Sequence, residues 1–368
     1  MSSPRIIATY HLASDADLVA ERAKGLAIEQ SVECPLAAVG DPVILDTIVG
    51  RVEDIAELTP GRYAVRIGLA AATAPAEPGQ LINMLFGNSS MQQDVTLVDV
   101  ELPPSYLAAF GGPRLGLAGL RALTGTQDRA LTASALKPQG LSPAALARIA
   151  GQLARGGVDV IKDDHGIADQ AYSPFAARVE AVGRAVQEAN VARDGHSLYA
   201  PNLSGTLDDM RRQLDLAREQ GIAAVMVAPM IVGLANFHAV VKAAAGMVVI
   251  AHPALSGVTR IAPPLLLGKL FRLFGADATI FPNAGGRFGF STETCLQLAR
   301  AGRDPWGALE PCMPVPAGGL TADRVAELLQ FYGHDVMLLI GGGLLSARER
   351  LTEEAARFVN EVAAHGKA

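Results

Sequence analysis

The sequence predicts an α/β protein: a C-terminal (β/α)8 TIM barrel behind a smaller N-terminal α+β domain. Three observations carry that reading. From about residue 130 a short apolar run, a polar or glycine turn and an amphipathic stretch recur over roughly 240 residues, the size and rhythm of such a barrel. An open doubly wound sheet would have fewer strands, and the GxGxxG turn it usually carries after its first strand is missing. The chain's 368 residues exceed one ordinary domain, and the first part does not share the later beat.

The barrel strands are expected at Leu131–Leu136, Val158–Ile161, Ser197–Ala200, Ala223–Ala228, Met247–Ala251, Ala278–Phe281, Cys312–Val315 and Val336–Ile340. Helices lie between them. Ser142-Pro143 opens the first, with Ser as N-cap and Pro at the first helical position, and Gly156-Gly157 ends it. Thr206 followed by Asp208-Asp209 opens another, closed by Gly221, and Thr321-Ala322-Asp323 a third, closed by Gly333. Residues 1–110 read as strand Ile6–His11, helix Asp15–Gln30, strand Gly61–Leu69, a helix from Pro78-Gly79 through Leu85, and strand Val95–Leu102. Pro103-Pro104 and Gly111-Gly112-Pro113 mark the join to a catalytic barrel spanning 111–368.

Composition narrows the function classes. Half the residues are hydrophobic and 18% are charged, which excludes a disordered chain. The positive mean hydropathy, +0.26, is spread over short runs broken by Gly, Pro and charges, so no membrane span is expected. Thirty-one basic against 37 acidic residues, with no basic run, argue against a nucleic-acid partner. Three cysteines without a CxxC fit a reducing compartment. Met1–Leu12 carries Arg5 and His11 but no apolar core, so no signal peptide is expected and the location implied is cytoplasmic.

A barrel enzyme carries its chemistry where strands end and βα loops begin. Those positions hold Lys137, Lys162 with Asp163, Asp164 and His165, Asn202, His252, Asn283 with Arg287, Ala317-Gly318-Gly319, and Gly341-Gly342-Gly343. Strand alternation sends Val158, Val160 and Lys162 to one face, placing a lysine at the mouth beside two carboxylates and an imidazole. Such a cluster could serve a hard cation such as Mg²⁺, or be a solvated acidic turn with Lys162 paired to an aspartate. The two glycine loops after the last strands suit a phosphate, which backbone N–H groups and a helix N-terminus bind well.

Gly156-Gly157-Val158-Asp159-Val160-Ile161-Lys162-Asp163-Asp164 resembles the GGxDFxKDDE signature of the RuBisCO large-subunit superfamily. Ala8–Leu12, Ala27–Ser31, Leu85-Phe86-Gly87-Asn88, Leu136–Ser142 and both glycine loops are similar to other segments of that family. The resemblance implies the two-domain fold and Mg²⁺ held by a CO₂-derived carbamate on Lys162 together with Asp164 and with His165, which stands where the family has a glutamate ligand. It implies a homodimer in which Glu29 and Asn88 reach the partner's barrel mouth.

Several positions depart from the carboxylating pattern. The loop after strand five reads His252-Pro253-Ala254, with proline where the family grips one substrate phosphate through arginine; near Ile280 the family has a histidine for the same phosphate. Arg287 replaces the lysine that faces CO₂, and Gln139 a second lysine in the first loop. The chain therefore resembles the RuBisCO-like proteins, the non-carboxylating branch, and is not expected to fix CO₂. One phosphate site remains and the opposite end suits an apolar substituent, because an unpaired dianion there would be strongly disfavoured. The implied substrate is a sugar monophosphate with an apolar tail, of the methionine-salvage type. The favoured reaction is isomerisation of 5-methylthioribulose 1-phosphate to 1-methylthioxylulose 5-phosphate, with Lys162, Lys137 and His252 moving protons and Glu29, Asn88, Asn283 and Arg287 contacting substrate. Two other reactions stay open: enolisation of 2,3-diketo-5-methylthiopentyl 1-phosphate, which Gln139 and His165 disfavour, and decarboxylation of a 3-oxo sugar-acid phosphate.

Overall fold

Alternate residues of the first strand, β1 (Arg5–Ala13), are buried: Ile6, Ala8, Tyr10 and Leu12 face a core while their neighbours do not. With β2 (Arg51–Thr59), β3 (Arg62–Ala70) and β4 (Thr96–Glu101) it forms an antiparallel sheet in the order β2-β3-β1-β4. A helix, Val19–Glu29, buries Val19, Ala23, Leu26 and Ala27. Its end is pinned by Gln30, whose amide donates to Met84 O at 2.8 Å and accepts from Ser89 Oγ at 2.7 Å. The structure, a computed structural model, describes residues 4–286 and 288–366.

Strand β2 is absent from the expectations above, for a physical reason. Its apolar residues, Val52, Ile55 and Leu58, recur every third position, which does not read as a strand. Two register shifts, at Val52/Asp54 and Glu57/Thr59, reconcile that spacing with pairing to β3. The chain divides into two compact units: the first runs to Gly111 and also contains Ser256–Leu266, and the second comprises Gly112–Leu255 with the rest of the chain. Within the first unit the inserted segment bonds to β4, Leu97 N donating to Arg260 O at 3.0 Å and Ala262 N to Leu97 O at 2.9 Å.

The second unit contains eight parallel strands: β5 (Leu131–Leu136), β6 (Val160–Asp163), β7 (Leu198–Ala200), β8 (Ala224–Val227), β9 (Val248–Ala251), β10 (Ala278–Pro282), β11 (Met313–Ala317) and β12 (Met337–Leu339). All eight expected strands are present. Pairing runs from β7 through β6, β5 and β12 round to β8, and Met226 N to Pro201 O and Leu203 N to Met226 O, both 2.8 Å, close the ring. Alternate residues fill the interior, among them Leu131 and Ala133, Val160, Met226, Ile250, Ile280, Val315 and Met337. Continued one step, the same parity brings Ala135, Lys162 and His252 to the mouth.

Strand β6 starts at Val160, two residues later than the expected Val158. Val158 N still donates to Leu153 O of the preceding helix, and the Asp159 carboxylate is held by Arg129 at 2.7 and 2.9 Å and by Thr132 N at 2.8 Å. Both glycines before it are forced. A β-carbon on Gly156 would strike Ala355 of the helix Leu351–Ala364, and Gly157 sits at φ +88°.

The opposite end of the barrel is closed by the helix Gly116–Thr124, whose Leu120 enters the core cluster. Buried Asp277 ties it on, accepting from Leu115 N at 2.9 Å, Gly116 N at 2.7 Å and Val249 N at 2.8 Å. Asp277→Ala would leave three N–H groups without their acceptor, at about 1–3 kcal/mol for each one that stays buried and unpaired. Urea unfolding should show a loss of about 3 kcal/mol or more; a loss under about 1 kcal/mol would mean that other contacts seat this helix.

Candidate active site

Strand alternation sorts the Lys162-Asp163-Asp164 sequence into two roles. Asp163 points outward, fully buried, against the helix Phe175–Arg193. Its carboxylate accepts from Arg178 Nε at 3.0 Å, Tyr199 Oη at 2.8 Å and the Asn202 backbone N–H at 3.1 Å. Burial pushes this carboxyl upward, and the Arg178 guanidinium opposes that. Lys162 and Asp164 share the interior parity and reach the mouth.

Lys162 is buried, and its Nζ donates to Asp163 O at 2.9 Å. Desolvation pushes the amine down to about 8, with Lys137 adding to the effect while Asp164 and Asp163 resist it. Lys137, just past the end of β5, places its Nζ 3.1 Å from Asp164 Oδ1 and keeps about a third of its side chain in solvent. His165 Nδ1 approaches the same oxygen at 3.4 Å. Burial alone would raise the Asp164 carboxyl, but His165, Lys162 and Lys137 together hold it well below the usual carboxylate range. The His165 ring stacks on His252, centroids 4.3 Å apart and planes 14° from parallel. Burial, followed by the Lys162 charge, keeps the His252 imidazole far below its ordinary value, hence neutral. Its Nδ1 accepts from Ala254 N at 3.1 Å, which places the proton on Nε2.

Five groups expected together from the sequence, Lys137, Lys162, Asp164, His165 and His252, thus form one connected cluster. Among the described residues no three His, Cys, Asp or Glu side chains are arranged to hold a metal ion. Asp164, His165 and His252 are therefore not a metal site unaided. A divalent cation fits once Lys162 carries a carboxyl group, since that adds a hard anionic oxygen beside Asp164. A buried amine near 8 is partly unprotonated at neutral pH, the form that combines with CO₂.

On the far side of the mouth Gly318 and Gly319 follow Ala317 in the left-handed region, at φ +85° and +82°. Gly341-Gly342-Gly343 follows β12 and opens the helix Gly342–Leu345. The two loops touch: a β-carbon on Gly343 would lie 3.3 Å from Leu320 O. The Phe288 ring lies against Gly318. Glu29 and Asn88, both in the first unit, are joined by a hydrogen bond of 2.9 Å from Asn88 Nδ2 to Glu29 Oε1.

The remaining expected positions fare differently. Asn283, expected to contact substrate, lines a cavity with its side chain already engaged: Oδ1 accepts from Tyr332 Oη at 2.5 Å and Nδ2 donates to Ala284 O at 2.8 Å. Ile280 does not line the mouth but belongs to the barrel core, leaving 3% of its surface exposed. Arg287 lies outside the described residues. The sequence reading also missed Arg178 and Tyr199, whose only sequence signal is an arginine in a helix and a tyrosine in a strand.

A closed parallel barrel with a lysine–carboxylate–imidazole cluster drawn from the ends of β5, β6 and β9 and glycine loops after β11 and β12 is a barrel-enzyme architecture. Residues 116–292 match the family model described as "Ribulose bisphosphate carboxylase large chain, catalytic domain". The chain is 66% identical over 365 residues, 99% of both chains, to "Ribulose bisphosphate carboxylase-like protein 1" of Rhodopseudomonas palustris. It is 55% identical over 360 residues, 98% of this chain and 96% of the other, to a protein of Rhodospirillum rubrum named 5-methylthioribulose-1-phosphate isomerase. A 2,3-diketo-5-methylthiopentyl-1-phosphate enolase of Geobacillus thermodenitrificans is 31% identical over 92% of this chain and 87% of its own. Among solved structures, a Rubisco-like protein from Rhodopseudomonas palustris superposes with a TM-score of 0.94 at 70% identity, covering 100% of both chains. The chain belongs to the RuBisCO large-chain superfamily, among its RuBisCO-like proteins.

The division of labour between the two aspartates is testable by stability. Asp163→Ala strands the buried Arg178 charge and should cost about 3–5 kcal/mol. Asp164→Ala should cost less than half as much, because Lys137 can turn to water. Chemical unfolding of both variants decides it, and equal losses would contradict the assignment.

Proposed function

We propose that this protein is an isomerase converting 5-methylthioribulose 1-phosphate to 1-methylthioxylulose 5-phosphate. The observation that carries the proposal is the cluster of proton-moving groups on β5, β6 and β9 facing a mouth with glycine phosphate loops at one end only. At the other end, position 253 is proline, and Ile280 is core; neither can hold a second phosphate. The name of the 55% identical relative supports the same substrate.

The reaction moves a carbonyl from C2 to C4 of the five-carbon chain. A proton leaves C3 and one is returned to C2; then a proton leaves C4 and one is returned to C3. No oxidant or second substrate enters. Lys137, hydrogen-bonded to Asp164 and reachable by solvent, can take a proton from one carbon and deliver it to the next. Neutral His252, with its proton on Nε2, donates a hydrogen bond to a substrate oxygen. Lys162 and Asp164 would hold Mg²⁺, Lys162 as its carbamate, with His165 bracing the Asp164 carboxylate. The cation, when bound, would stabilise negative charge developing on the carbonyl and hydroxyl oxygens. Ala317, Gly318, Gly319, Gly341, Gly342 and Gly343 would bind the phosphate through backbone N–H groups. The enolase reading is weaker, because Gln139 occupies the place of a lysine in the loop after β5 and His165 that of the ligand glutamate.

Incubation with Mg²⁺, bicarbonate and either candidate substrate in D₂O, followed by phosphorus and proton NMR, separates the two reactions. The methylthioribulose phosphate should be consumed and the diketone left. Lys162→Ala should lower kcat by more than tenfold, about 1.4 kcal/mol or more of transition-state stabilisation, in a protein that still folds. Consumption of the diketone alone would favour the enolase.

A homodimer with shared sites completes the proposal, the Glu29–Asn88 pair serving the partner's mouth. An uncovered mouth would expose an enediolate to water and random reprotonation. Mixing inactive Lys162→Ala with inactive Asn88→Ala chains should then restore activity, since one site of each mixed dimer combines an intact barrel with an intact cover. Mixed dimers that exchange chains and stay inactive would refute the sharing.

A further inference from the structure

With Ile280 withdrawn into the core, the apolar end of the substrate must meet other side chains. Among the described residues of the barrel unit six large hydrophobics are exposed, and four of them, Tyr172, Ile231, Leu255 and Phe288, follow strand ends; Phe288 lies against the Gly318 loop, whereas Ile231 and Leu255 stand on the adjoining loops after β8 and β9. Ile231, 58% exposed, lies in the short helix Pro229–Val232 after β8, and Leu255, 49% exposed, lies in the loop after β9. The two loops leave the barrel side by side. Val227 and Ala251 are register partners, His252 N donates to Val227 O at 2.8 Å, and each leucine or isoleucine follows its register residue by four positions.

Leu255 adopts φ +67°, the left-handed region that leucine enters only when its surroundings hold it there. It is three residues beyond His252, whose ring is stacked in the catalytic cluster, and two beyond Pro253. In the ring of eight strands β8 stands opposite β12, whose loop carries Gly341-Gly342-Gly343. A substrate with its phosphate on the glycine loops, lying across the cluster, therefore points its other end toward β8 and β9.

We propose that Leu255 and Ile231 form the subsite for the substrate's apolar tail and set the preference for a thioether over a shorter or polar end. The inference rests on the monophosphate reading above and adds the residues that read the tail. The left-handed backbone at Leu255 keeps a large apolar residue at a position where glycine is the ordinary choice. These are specificity residues rather than groups that move protons, so they should act on affinity and KM, not on kcat.

The test uses the full-length protein and two unreactive alditol phosphates, 5-methylthioribitol 1-phosphate and 5-deoxyribitol 1-phosphate, which differ only in the tail. Calorimetric titration of the wild type should show the thioether binding at least about tenfold more tightly, within the range an apolar pocket gives for such a group. Leu255→Ala and Ile231→Ser should each bring the two affinities together by weakening the thioether ligand alone. Leu255→Gly should do the same while melting no lower than the wild type, because glycine accepts φ +67°. A wild type that binds both ligands equally, or Leu255 and Ile231 variants that keep the original ratio, would overturn the proposal. Collapse of the ratio in a protein that fails to turn over methylthioribulose phosphate would uphold the tail subsite and refute the isomerase reading instead.

Discussion

The buried ion pair between Asp163 and Arg178 is the constraint on which the site depends. A β-strand alternates its side chains, so two neighbours cannot both face the mouth. Asp163 takes the outward place, where Arg178, Tyr199 and the Asn202 N–H satisfy it. Lys162 and Asp164 are thereby fixed inward. A one-residue slip of β6 would exchange these roles, burying Lys162 against the helix and sending Asp163 into the barrel. The pair also joins three consecutive parts of the barrel, since Asp163 is on β6, Tyr199 on β7 and Arg178 on the helix between them. Aspartate with three hydrogen-bond donors is specific enough to select that register, whereas the apolar residues around it would tolerate others.

Once register is set, the charges at the mouth organise themselves. Lys137, Lys162 and two imidazoles gather round a single inward carboxylate, Asp164. Burying that much positive charge would be unfavourable, and the structure relieves it in two ways: Lys162 gives up its proton readily and His252 stays neutral. The cluster is thus short of negative charge. A carboxyl group on Lys162, as proposed above, would supply it, converting a cation into an anion beside Asp164. The same shortage explains why Asp164 is held so firmly ionised.

Much of this was legible in the sequence because it lies in local patterns. Eight apolar runs at barrel spacing, and a lysine with two aspartates at a strand end, need no knowledge of distant residues. What was not legible depends on contacts far apart in the chain. That Tyr332, 49 positions later, donates to the Asn283 side-chain oxygen could not be read locally. Ile280 looks like a replaced phosphate ligand until the interior parity shows it inside the barrel. Strand β2 was hidden by its own bulges, which convert a period of two into one of three. Arg178 carries no signal at all, because nothing local marks one helical arginine as the partner of a carboxylate on the preceding strand.

The chemistry of the mouth follows from how unevenly its rim is furnished. Glycines after β11 and β12 present backbone N–H groups and little else, which suits a small, highly charged, well-defined anion. Loops after β8 and β9 present isoleucine, proline and leucine, which suit no anion. Between the two lie the amines and imidazoles of β5, β6 and β9. A bisphosphate laid across this mouth would bury one phosphate without a partner, at a cost that no contact on the other side can offset. A monophosphate with an apolar tail, the substrate class proposed above, would meet a matching surface at both ends and keep its carbons over the cluster. In the proposed isomerisation the carbonyl would travel from C2 to C4, so such two-ended anchoring would also be a mechanistic need: the carbons would have to hold one register against Lys137 while the bonds between them rearrange.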